Sequence, residues 1–125
     1  MSKITKIVGR QIFDSRGNPT IEAEVFSNNL SARAICPSGA STGTYEAYEK
    51  RDLSNKKYLG KSVFKAVNLI NSKISKILKN QNVHNQSKID YLMIEIDGSK
   101  QKKNLGANSI LPVSMAVKKL SAKIK

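Results

Sequence analysis

Three alternating runs, joined by turns of only a few residues, restrict this chain before anything else does. In Thr20 to Phe26, Ile21, Ala23 and Val25 fall on one side, with Glu22 and Glu24 on the other. Leu30 to Cys36 repeats the pattern, setting Leu30, Ala32, Ala34 and Cys36 against Ser31, Arg33 and Ile35. Ile4 to Phe13 alternates more loosely: Ile4, Val8 and Ile12 share a parity with Lys6 and Arg10, and Ile7 and Phe13 take the other. Period-two patterning of this kind predicts half-buried strands. Asp14-Ser-Arg-Gly-Asn-Pro19 is dense in turn formers. Ser27-Asn28-Asn29 suits a tight reversal, because asparagine tolerates left-handed backbone angles. Adjacent strands with such short connections form an antiparallel meander. Cys36 then falls on the inward face, as a small buried apolar residue.

The rest of the chain reads as helix. Tyr45 to Asp52 predicts a short helix with Glu46 and Lys50 paired at i,i+4. Glu46 and Glu49, beside Lys50 and Arg51, read as a solvated face and not as an acid/base pair. Ser62 can cap a long helix whose apolar stripe is Val63, Ala66, Val67, Ile70, Ile74, Ile77 and Leu78. Its apolar stripe belongs on the sheet. After a loop over residues 80–86, Ser87-Lys-Ile-Asp90 resembles a capping box. Ile89, Leu92, Met93 and Ile96 follow at helical spacing, and Asp97-Gly98 closes that helix. Gly106-Ala107-Asn108-Ser109 opens the last helix, with Ile110, Val113, Val117, Leu120 and Ile124 as its stripe. Pro112 is tolerable only within about the first turn, which places the start near Asn108 or Ser109. The stripe still runs at Lys125, with no cap, as expected of a domain truncated in or just after its last helix. The whole is therefore an α+β domain over residues 1–125, a three-stranded antiparallel meander followed by a helical layer.

Composition bounds the function. The 125 residues suffice for one domain. No apolar run reaches the ~18 residues of a membrane span, and no apolar signal segment precedes the first strand. One cysteine excludes an internal disulfide and fits a reducing cytoplasm. Twenty-two basic residues against nine acidic ones give +13, which raises a nucleic-acid partner. The basic residues form no single block and have little aromatic interleaving, which argues against one and for compositional drift toward Lys, Ile and Asn. His84 has no Cys, Asp or second His near it in sequence, so nothing supports a metal-ligand role.

The stretch that carries chemistry is Pro37-Ser-Gly-Ala-Ser-Thr-Gly43, set between a strand pattern and a helix pattern. Its glycines permit open backbone angles, and its hydroxyls can meet a metal or an anion. Such composition makes a poor core and a good flap. GxGxxG, a Walker lysine and a nucleophile elbow are all absent.

Four stretches taken in order resemble the N-terminal domain of the enolases. They are Asp14-Ser-Arg-Gly-Asn-Pro-Thr20, Pro37 to Gly43, Glu46-Ala47 with Arg51-Asp52, and Leu105-Gly-Ala-Asn108 with Ile110-Leu111. The match spans the whole chain. Pro112, Ser109 and the basic loop 97–104 depart from the family's usual residues, and none of these touches the flap motif. The resemblance implies a glycolytic lyase that interconverts 2-phosphoglycerate with phosphoenolpyruvate and water. It implies magnesium as cofactor, a lysine base, and an acid in a C-terminal barrel. It also implies a lid formed by Gly39, Ala40, Ser41, Thr42 and Gly43, with Ser41 as a magnesium ligand. A (β/α)₈ barrel needs ~250 residues, so the TIM-type barrel and the catalytic groups are absent from this chain, and the chain alone is expected to be inactive. Homodimerisation of the complete enzyme is implied too, with Arg10 and Glu22 at positions that often form inter-subunit pairs. Two other readings stay open: a truncated relic or scaffold, which the reading frame beyond Lys125 would reveal, and a basic nucleic-acid-binding module, whose affinity would fall steeply with salt.

Overall fold

The computed structural model describes residues 2–36, 63–98 and 105–125. Among them, strands β1 (Lys6–Phe13), β2 (Pro19–Ser27) and β3 (Leu30–Ile35) form one antiparallel sheet in the order β1-β2-β3. The helical layer comprises α1 (Phe64–Leu69), a π-helical turn (Ile70–Ile74), α2 (Ser75–Leu78), α3 (Gln86–Asp97) and α4 (Ala107–Ile124). The α+β reading and the meander hold.

The turns form for the reasons the residue types suggest. The Asp14 carboxylate accepts the N–H groups of Arg16 and Asn18, both at 2.9 Å, and Gly17 takes a left-handed φ of 78°. Asn28, at φ 55°, makes the two-residue reversal closed by the Ser27↔Leu30 pair. Ile21, Ala23, Val25, Ala34 and Cys36 are buried on the inner face. Against them pack Val63, Ala66, Ile70, Ile74 and Leu78 from the first helical run, and Val113, Val117 and Leu120 from α4. Ile4 is buried just before β1, where residues 2–4 pair with residues 80–83.

Helix side chains engage part of each edge strand's outward backbone, the groups on which another chain could otherwise add a strand. Along β1, the Gly9 N–H donates to Asn71 Oδ1 at 2.8 Å, and Asn71 Nδ2 donates to the Gly9 carbonyl at 3.1 Å. Along β3, Lys119 Nζ reaches the Arg33 carbonyl at 3.3 Å and Lys123 Nζ the Ser31 carbonyl at 2.9 Å.

The helical layer corrects the sequence reading in four places. The run over residues 64–78 is not one regular α-helix but carries a π turn where it crosses β1. The widened turn lets two adjacent residues reach Gly9, Ile70 by packing and Asn71 by hydrogen bonds. At α3 the cap is Asn85, whose Oδ1 accepts from the Lys88 N–H, and not Ser87; Asp90 instead accepts from Ser114 Oγ at 2.6 Å. Ile96 is exposed, and Asp97 takes the inward position, 1% exposed, because its carboxylate accepts the Leu105 N–H at 2.7 Å. Gly98 ends α3 in the left-handed region, as expected. α4 begins at Ala107, so Pro112 lies in its second turn. The expected helix over residues 45–52 and the cap at Ser62 lie outside the described residues.

Asp97 therefore ties the end of α3 to the start of the segment that leads into α4. Asp97→Ala is expected to lower unfolding free energy by about 1–2 kcal/mol, the cost of leaving a buried N–H without its acceptor. Chemical denaturation of the variant checks this.

Candidate functional site

The described residues fix where the chain leaves and re-enters around the flap motif. Gln11, Ile21 and Cys36 lie on one row across the inner face of the sheet. Gln11 and Ile21 are Cα partners, and the Cys36 N–H donates to the Ile21 carbonyl at 2.8 Å. Thr20 Oγ donates to the Cys36 carbonyl over a longer 3.4 Å. At the other end of the row, Gln11 Oε1 accepts the Val63 N–H at 3.0 Å. Residues 36 and 63 are thus both tied to the end of the sheet that carries the Asp14–Asn18 turn. The predicted lid residues Gly39, Ala40, Ser41, Thr42 and Gly43 belong to the stretch between these two points, outside the described residues, as do Glu46 and Glu49.

Gln11 went unnoticed in the sequence reading, although its parity is that of Ile7, an inward position. A polar side chain at an inward strand position needs a partner, and that was the available signal. Asn71 gave no such signal, since it is exposed and lies off the apolar stripe that contains Ile70.

The outer face carries an ionic cluster. Arg10 donates to Glu22 at 3.1 Å and to Glu24 at 2.7 Å, with Arg33 3.8 Å from the other Glu24 oxygen. Ser31 Oγ also donates to Glu24, at 3.0 Å. Glu24 is nearly buried, at 8% exposure. The Arg10 hydrogen bond holds its carboxyl below the usual carboxylate range, against the opposing effect of desolvation. The same bond holds the Arg10 guanidinium above its ordinary value. Arg10 and Glu22, singled out by sequence, therefore meet each other within one chain. Glu24, held ionised in this way by Arg10, is a poor acid/base candidate.

His84 Nδ1 lies 2.6 Å from Ser121 Oγ and joins the loop before α3 to the last turns of α4. Among the described residues, no group of three or more His, Cys, Asp or Glu side chains converges as a metal site. Nor is any described helix long and apolar enough to cross a membrane.

The sequence pattern described as "Enolase, N-terminal domain" matches residues 4–125. The chain belongs to the enolase N-terminal domain family. It is 72% identical to a curated protein named "Enolase" from Pelagibacter ubique (strain HTCC1062), over 100% of this chain and 30% of that relative. The chain thus spans about 30% of the length of this enolase. Meander, helical layer and family agree.

Proposed function

We propose that this chain is the lid-bearing domain of an enzyme that interconverts 2-phosphoglycerate with phosphoenolpyruvate and water. What carries the reading is family membership at 72% identity over the whole chain, together with coverage of only 30% of the relative. The anchoring of residues 36 and 63 at one sheet end supports it, since a lid needs fixed ends. The lid is Gly39 to Gly43, and Ser41 offers its hydroxyl to magnesium in the complete enzyme.

The described residues do not fit a magnesium site of their own. Their outer-face carboxylates are engaged by Arg10 and Arg33, and one serine hydroxyl cannot hold the ion. The remaining ligands, the base and the acid come from sequence beyond this domain, and the isolated chain is inactive. The complete enzyme is cytoplasmic and homodimeric, with Arg10 and Glu22 near the subunit contact.

The test joins this chain to the remaining length of the 72% identical relative. The joined protein is expected to dehydrate 2-phosphoglycerate, and the 125-residue chain alone to show no turnover above a catalyst-free control. Ser41→Ala in the joined protein is expected to lower kcat by roughly 10²-fold, as for loss of one preorganised group on developing charge. The thermal midpoint should not move. Wild-type kcat in the Ser41 variant would remove the lid reading.

A further inference from the structure

We infer that Gln11 is a positioning residue, which sets the point where the stretch between Cys36 and Val63 rejoins the fold. The inference deepens the lid reading and rests on it for its functional consequence.

The two ends of that stretch are held by different means. Cys36 continues the β3 ladder, its N–H on the Ile21 carbonyl, so main chain holds it and only proline at that position would delete the tie. Val63 immediately precedes α1, and its N–H is bonded to a side chain, Gln11 Oε1, at 3.0 Å. Nothing in the Val63 sequence position dictates that bond. It depends on an amide projecting from an inward position of β1, on the strand pair whose other member, Ile21, holds Cys36. One cross-strand row therefore sets the spacing of both ends. Eight residues further along, Asn71 clamps Gly9 two positions before Gln11 on the same strand. Helix entry and helix crossing are registered on one strand by two independent amides. Loss of the Gln11 bond should loosen the entry while Asn71 and the core keep the helix on the sheet.

What the Val63 N–H requires of position 11 is an acceptor oxygen at that reach. Glutamate supplies one and leucine does not. This separates positioning from packing, since leucine preserves the apolar stem.

The experiment follows amide hydrogen exchange in the full 125-residue chain and turnover in the protein joined to the rest of the relative. Gln11→Leu is expected to speed exchange at the Val63 amide roughly tenfold, the net contribution of one such hydrogen bond. Exchange at the Ala23 and Ile74 amides should stay near wild type. In the joined protein kcat should fall by a similar factor, and Gln11→Glu should restore both readouts. The proposal is overturned if Val63 exchange is unchanged, if it rises only in step with Ala23 and Ile74, or if Gln11→Glu behaves like Gln11→Leu. A wild-type kcat in the Ser41→Ala protein would defeat the lid reading and with it the catalytic consequence of Gln11. The exchange result at Val63 would still decide the anchoring itself.

Discussion

Gly9→Ala is expected to lower the unfolding free energy by about 3 kcal/mol, near the upper end of what overpacking a core costs. A Cβ at position 9 would lie 2.9 Å from both Cβ and Cγ2 of Ile70, and 3.2 Å from its Cδ1. Ile70 is fully buried, so it has no space into which to retreat. Relief requires the π turn to lift off β1. That movement would also stretch both hydrogen bonds between Asn71 and the Gly9 backbone. Trimming the partner should not rescue the variant, because Ile70→Ala retains the Cβ that is itself too close. The measurement is the denaturant midpoint of Gly9→Ala and of the double variant Gly9→Ala/Ile70→Ala. Full rescue by Ile70→Ala would show that the branched end of Ile70, and not the approach of the two backbones, sets the requirement for glycine.

Arg10→Leu is the second large effect, expected at about 2 kcal/mol at neutral pH. Removing one partner of a buried pair typically costs ~3–5 kcal/mol, because the remaining charge is left uncompensated. The Arg10 side chain is 39% exposed, so solvent screening reduces that figure. What remains is Glu24, whose side chain is 11% exposed, supported by Ser31 and by a distant Arg33. The pH dependence has a definite sign. The folded-state carboxyl of Glu24 is held below its ordinary value, chiefly by the Arg10 hydrogen bond. Its stabilising contribution is therefore fully present above the unfolded-state value of about 4.3 and is lost as pH falls through the lower folded-state value. The difference in unfolding free energy between wild type and Arg10→Leu should be constant from about pH 6 to 8 and shrink below about pH 4. Arg10 stays charged throughout this range and contributes no slope of its own. A difference that stayed constant down to pH 3 would mean that Arg10 acts through packing of its stem and not through the carboxylates.

How far the chain could be read depended on the range of the interaction. The strands, their order and their faces were legible because alternation and turn chemistry are local. Ile21, Ala23 and Val25 could point inward only together, and Asn28 could supply the left-handed angle by itself. The apolar stripes of the first helical run and of α4 were legible for the same reason, as was the left-handed glycine that stops α3. The family was legible too, since its motifs are contiguous stretches of chain.

Tertiary contact decided the rest. Ser87 looks like a cap by sequence, yet Asn85 caps α3, because Gln86 and Asp90 are drawn to Ser114 on α4. Ile96 continues a helical stripe, yet Asp97 occupies the interior, because Leu105 presents an N–H there. Gly9 lies in no turn and has no unusual backbone angle; only the approach of Ile70 gives it a reason. Gln11, Asn71 and Arg10 owe their roles to partners 52, 62 and 14 positions away in sequence. Local propensity fixes backbone angles and the facing of side chains, because those depend on neighbours a few residues apart. A hydrogen bond or a close backbone approach between distant segments depends on where both arrive, which is settled only when the layers pack.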